Sequence, residues 1–153
     1  MWLKVDVQVA PFDLACEESA LLAQAGDAGA VVAFVGRVRA HDAAVPLSAL
    51  WLEHFPGVTE AEIARIAALA ADRWPVTACR VIHRVGALAP GEGIVLVLMA
   101  SPHRAAAFEA AAYLMDYLKT EAPFWKREDL ADGSHRWVEA RQTDEAARAR
   151  WES

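Results

Sequence analysis

The chain has 153 residues, of which 56 % are hydrophobic and 24 % charged, enough for one core-forming domain and unlike a disordered composition. A net charge of −6 argues against a protein that coats nucleic acid, which needs a basic field. No apolar run reaches the ~18–20 residues of a membrane helix, and the start MWLKVDVQVAP lacks the basic head and apolar block of a signal peptide, so a cytoplasmic protein with no membrane partner is expected.

Trp2–Val9 alternates apolar and polar residues like a half-buried strand. Asp13 is placed to cap a helix through Glu17 and Leu22 that ends at Gly26. The valine-rich run GAVVAFVGRVR (29–39) predicts a buried strand that emerges at Arg37 and Arg39. The segment AHDAAVP (40–46) predicts a loop, and Leu47–Phe55 a strand closed by Pro56-Gly57. Thr59 and Glu62 have capping-box spacing for the helix TEAEIARIAALAADRW. Val76–Val85 and Ile94–Ala100 predict strands joined through the turn LAPGEG.

Ser101-Pro102 suits the start of a long helix, with Ser as cap and Pro at the first helical position. That helix carries FEAAAYLMDYLK and must stop before Pro123. A short strand at Trp125–Glu128, the turn ADGS, a strand at Arg136–Ala140 and a helix capped by Thr143 complete the chain. Helices and strands interleave, yet hairpin signals near 91–93 and 132–134 favour an α+β domain with mixed or antiparallel sheets. No repeat or linker divides residues 1–153, so a single domain is expected. Cys16 and Cys79 form no C-x-x-C pair and no zinc spacing, and both are expected as small core residues.

The residues that carry chemistry are cationic. His103 and Arg104 fall at a helix start, where free N–H groups and the positive dipole end already gather positive charge. An anion would offset that cost, so a phosphate or carboxylate site is one reading; Arg104 pairing with a carboxylate while His103 packs is the other. Arg37 and Arg39 share a strand face and supply forks suited to phosphate, or form a solvated strand end. Lys119 and Lys126 flank the apolar knot Ala122-Pro123-Phe124-Trp125. Pro123 fixes that turn, Phe124 and Trp125 are expected to anchor it in the core, and a lysine held beside apolar surface becomes a better base or nucleophile. Glu128 and Asp129 could oppose this by pairing. Met115 lies one turn before Lys119, as an apolar wall or as core. There is no G-x-S-x-G, P-loop or G-x-G-x-x-G, and His41, His54, His83 and His135 show no metal-ligand spacing. Chemistry by Lys, Arg and His on an anionic substrate is expected, with no metal.

FVGRVR, LEHFPGVTE, VIHRVGALAPGE, ASPHRAAAFEA, YLMDYLK, APFWK and WVEAR occur in this order along the chain. Together they resemble the MoaE family, the large catalytic subunits of molybdopterin synthase. The resemblance runs from about Val31 to Trp151 and rests on the combination, since no single motif is specific. It implies an α/β-hammerhead-type domain with a small β subdomain. It implies a sulfurtransferase that inserts two sulfurs into cyclic pyranopterin monophosphate to form the dithiolene of molybdopterin. The sulfur donor would be a small ubiquitin-like carrier (MoaD type) ending in a Gly-Gly thiocarboxylate, in a heterotetramer of two large subunits and two carriers. The large subunit would need no cofactor of its own.

By the same resemblance, the family's two key lysines fall on Lys119 and Lys126. Its pterin- and phosphate-contacting positions fall on Arg37, Val38 and Arg39, on His103 and Arg104, and on Lys126, Arg127 and Glu128, and the arginine of WVEAR falls on Arg141. Two features depart from the expected pattern: Glu121 puts a carboxylate two residues from Lys119, and loop 40–46 is poor in polar residues. His103 and Lys119 bracket one helix 16 residues apart, about 24 Å at about 1.5 Å per residue. That is too far for one pterin phosphate, so a homodimer with shared sites is expected. A non-catalytic module that binds a ubiquitin-like tail or a phosphorylated metabolite is the alternative.

Overall fold

The computed structural model describes residues 1–40, 45–138 and 142–152, except the side chains of 142 and 143. The described residues form, in chain order, β1 (Trp2–Gln8), α1 (Leu14–Leu22), β2 (Ala30–Arg37), β3 (Leu47–His54), α2 (Val58–Arg73), β4 (Ala78–Arg84), β5 (Gly86–Leu88), β6 (Gly93–Ser101), α3 (Arg104–Glu121), β7 (Phe124–Leu130), β8 (His135–Val138) and α4 (Gln142–Ala149). They build two four-stranded sheets, ordered β1-β4-β6-β2 and β5-β3-β7-β8. Among the described residues only β1 and β4 run parallel; every other pair is antiparallel. The α+β class with mixed and antiparallel sheets holds, as does the hairpin of β7 and β8, whereas β4 and β6 pair antiparallel across a connection in which β5 joins the other sheet.

The period-2 alternation of β4 and β6 separates two cores. Cys79, Val81, Val95, Val97 and Met99 face α2 and α3, packing on Ile63, Ile66, Ala70, Ala110 and Leu114. Ala78, Ile82, Leu96, Leu98 and Ala100 face the other way, toward Leu21 and Ala25 at the end of α1. A third core, of Val38, Leu47, Leu50, Leu52, Val85 and Leu88, lies under the inner face of the second sheet.

Several local expectations shift. Strand β2 is a half-exposed edge strand, with Phe34 39 % exposed, because β6 is the one strand it pairs with among the described residues. Helix α1 stops before Gly26, although Asp13 caps it by accepting from the Cys16 N–H at 3.0 Å. Cys16 is exposed on α1, while Cys79 is buried as expected and burial pushes its thiol up to about 12.

Helix α2 is capped two residues earlier than the capping-box spacing implied: Gly57 is the N-cap and Glu60 accepts from its N–H. Thr59 instead reaches back. Its hydroxyl accepts from the Phe55 N–H at 2.9 Å and lies 3.1 and 3.2 Å from the carbonyls of Phe55 and Pro123. Ser101 ends β6 rather than capping α3. His103 takes the cap position in extended conformation, and its N–H donates to Ser101 Oγ at 3.2 Å. Helix α3 ends at Glu121, with Ala122 as its extended C-cap before Pro123. Strand β7 is longer than the four residues expected. Of the strand expected at Arg136–Ala140, residues 139 and 140 lie outside the described residues, as does most of the loop 40–46.

Candidate active site

A cavity of about 430 Å³ opens where the two sheets meet the C-terminal end of α3. Four chain segments bring cations or their neighbours to it. From α3 come Leu118, Lys119 and Thr120; from the inner face of β7 come Phe124, Lys126 and Glu128. The end of β2 and the residues after it contribute Arg37, Val38 and Arg39, and β4 contributes His83. Leu50 and Leu52 of β3, with Val95 of β6, supply apolar wall, and Asp144 of α4 reaches the rim.

The alternation of β7 decides which of its residues take part. Phe124, Lys126 and Glu128 point inward, while Trp125, Arg127 and Asp129 point away, paired across the strand with Glu53, Trp51 and Ala49 of β3. Trp125 is therefore 48 % exposed, and only Phe124 anchors the proline turn, stacked on His83 with ring centroids 3.8 Å apart. Arg127 lies between Trp51 and Trp137 and pairs with Asp129 at 2.8 Å, on the face away from the cavity. Glu128 is buried and held by Arg136 at 2.8 Å, so the two acids next to Lys126 are each engaged by an arginine.

Arg37 at the end of β2 and Arg39 two residues beyond it both line the cavity, with Val38 buried between them. Arg37 donates twice to the Gly91 carbonyl, at 3.1 and 2.7 Å, which fixes its guanidinium to the turn before β6. Backbone bonds from Val38 N–H to Glu92 and from Gly91 N–H to Val38 strap the same two segments together. Close packing here requires Gly36, since a Cβ on it would stand 2.7 Å from Val95 Cγ1.

Lys119 occupies the last turn of α3, where a cation suits the negative end of the helix. Its neighbour Glu121 turns away: Arg65 of α2 and Arg148 of α4 hold that carboxylate at 2.7 and 3.4 Å. Met115 packs in the helix-side core rather than on the cavity wall. His103 and Arg104 are exposed at the opposite end of α3 and do not line the cavity. Arg141 lies outside the described residues.

The residue that motif reading passed over is His83. It is 6 % exposed, and its Nδ1 lies 2.9 Å from the Arg84 carbonyl. Burial lowers its pKa to about 4, and the nearby positive charges of Lys119 and Lys126 act in the same direction. A signal for it was present: Cys79 and Val81 mark the helix-facing row of β4, and His83 is the next residue in that row.

The sequence profile of the family described as "MoaE protein" matches residues 7–121. The chain belongs to the MoaE family. A "Molybdopterin synthase catalytic subunit" of Mesorhizobium japonicum is 57 % identical to it over 150 residues, covering 97 % of this chain and 93 % of the relative. The solved "Molybdopterin biosynthesis MoaE protein from Burkholderia ambifaria MC40-6" superposes with a TM-score of 0.84 at 46 % identity, covering 99 % of both chains. A chain of the "Protein-protein complex of subunit 1 and 2 of Molybdopterin-converting factor from Helicobacter pylori 26695" shares the fold, with a TM-score of 0.69 at 21 % identity over 92 % of this chain and 90 % of that one.

Proposed function

We propose that this chain is the catalytic subunit of a molybdopterin synthase. The observation that carries the reading is the cavity itself: in a chain of this family, two lysines and two arginines from three separate elements meet over an apolar wall. The substrate would be cyclic pyranopterin monophosphate. The sulfur would arrive on the C-terminal thiocarboxylate of a small ubiquitin-like carrier, as two transfers that leave a dithiolene. An anionic tail and an anionic phosphate then have to approach each other. Cations fixed beforehand lower that repulsion and stabilise charge that builds up on the carrier's carbonyl oxygen.

Lys119 is assigned the central role, at the thiocarboxylate carbonyl or as acid and base. Lys126 assists from β7, and Arg37 and Arg39 hold the phosphate. His103 and Arg104 enter the same site from a second copy of the chain. Their place at the far end of α3 from Lys119 supports this division. The assembly would be a homodimer carrying two small subunits, working in the cytoplasm and needing no metal from the large subunit, because the sulfur comes with the carrier.

The test is a single-turnover reaction of this protein with thiocarboxylated carrier and the cyclic pterin, with product read by mass. Dithiolene product is expected. Intact carrier binding without product would overturn the catalytic reading and leave a module that docks a ubiquitin-like tail.

A further inference from the structure

Arg39 lines the cavity from the crossover between β2 and β3, and hydrogen bonds pin that crossover on both sides of it. Before Arg39, the Val38 N–H donates to the Glu92 carbonyl at 2.9 Å, and the Gly91 N–H donates to the Val38 carbonyl at 2.8 Å. After it, the Leu47 N–H donates to the Ala40 carbonyl at 3.0 Å. One side chain joins the strap: Arg37 donates from Nε and Nη2 to the Gly91 carbonyl, at 3.1 and 2.7 Å. The turn that supplies this acceptor is itself fixed. The Glu92 N–H donates to the Ala89 carbonyl at 3.1 Å, the Ala89 N–H to the Glu92 carboxylate at 2.8 Å, and Arg84 to the Gly93 carbonyl at 3.2 Å. The ladder between β2 and β6 breaks at the same place. Gly36 pairs with Val95 and Arg37 with Gly93, which leaves Ile94 without a partner on β2. A bulge bends the strand and interrupts its ladder, so the end of β2 takes its direction from bonds outside the ladder.

We propose that Arg37 is a positioning residue for Arg39: its two bonds to the Gly91 carbonyl hold the bulged end of β2, and with it the direction from which Arg39 enters the cavity. This rests on the reading of Arg39 as a residue that holds the phosphate, and it deepens that reading, because the share of Arg37 in binding is then exerted through Arg39. The Nε–Nη2 edge of Arg37, one of the edges that could fork a phosphate, is occupied by Gly91. A guanidinium suits the task because its donors lie in one fixed plane, whereas a lysine ammonium is a point charge on a flexible stem. The acceptor is a neutral carbonyl, and among the described residues no carboxylate pairs with Arg37. The anchor therefore adds no negative charge beside a cavity that has to receive anions.

The experiment is a double-mutant cycle on the whole protein, with inorganic phosphate as the probe and nitrogen NMR of the arginine side chains and backbone amides as the readout. Arg37 is exposed, so its variants are expected to fold. Arg37→Met removes the charge and both donors. Arg37→Gln also removes the charge but places an amide donor where Nε stood. Arg37→Met should weaken phosphate binding about tenfold, the size of one hydrogen bond to a charged group. Arg37→Gln should keep most of the wild-type affinity. In an Arg39→Gln background, Arg37→Met should change the affinity by less than about twofold, because the path through Arg39 is already cut. Additive losses in that cycle, or equal losses in the Met and Gln variants, would show Arg37 acting on phosphate by its own charge and overturn the proposal. A second measurement needs no phosphate. The Arg39 Nε–H resonance and the amide exchange of Val38 and Gly91 should change in Arg37→Met and return toward wild type in Arg37→Gln. An Arg39 resonance indifferent to both substitutions overturns the proposal even if phosphate binds too weakly to titrate. None of these readouts involves turnover, so this proposal and the synthase reading can fail separately.

Discussion

At the scale of the residue, a buried base is a liability in acid. His83 ionises near pH 4 when folded and near 6.5 when unfolded. Between those values the unfolded chain binds the proton and the folded one does not, so stability is fully present above pH 6.5 and falls as the pH drops toward 4. The loss attributable to this group is at most about 3 kcal/mol. Denaturant midpoints measured from pH 7 to 4.5 should fall, and His83→Phe, which keeps the ring stack, should flatten part of that slope. A second expectation concerns Lys119, which is exposed at the end of its helix: Lys119→Ala should keep the fold and carrier binding yet make no dithiolene. Retained single-turnover activity would remove Lys119 from its central place. Lysines and arginines at turns and strand ends were legible from sequence, because their type and the turn chemistry around them are local. His83 was not, because alternation tells which face a strand residue takes but not what stands across from it. Trp125 was misplaced for the converse reason: a proline turn suggests an anchor, and the period of two lets only one of two adjacent aromatics point inward.

At the scale of the element, the turn between α3 and β7 holds the two lysines on either side, and Thr59 ties it to the start of α2. Thr59 is fully buried and touches the Phe55 backbone and the Pro123 carbonyl. Thr59→Val keeps the shape and removes the hydroxyl, leaving the Phe55 N–H without its acceptor. A loss of about 1–3 kcal/mol by chemical denaturation is expected, with faster amide exchange in residues 122–126. Unchanged exchange there would show that the turn is held by Phe124 packing alone. Most elements could be read from sequence, since strand alternation and helix breakers are local signals. The three-residue β5 is too short to leave a pattern, and the cap of α2 was misread because Gly57 and Glu60 do the capping while Thr59 serves a distant carbonyl.

At the scale of the whole molecule, pairings between distant parts of the chain were not legible. The parallel contact of β1 with β4 joins segments with four other elements between them, and nothing in either strand names its neighbour. The one long-range feature that could be argued beforehand came from length, since His103 and Lys119 bracket a single helix. It leads to a dimer test. A mixed dimer of a Lys119→Ala chain and an Arg104→Ala chain should regain one working site of two, about half the wild-type single-turnover yield if the sites are shared as in a two-fold dimer. No recovery would place each site within one chain. The register of β7 has a further consequence, for how this chain can change over generations. Phe124, Lys126 and Glu128 face the cavity while Trp125 and Arg127 face outward, so one residue lost or gained before Lys126 would exchange the two faces with almost no change in composition. Point substitutions can tune this strand one residue at a time. Single-codon insertions and deletions cannot, and length variation among descendants is confined to the loops on either side.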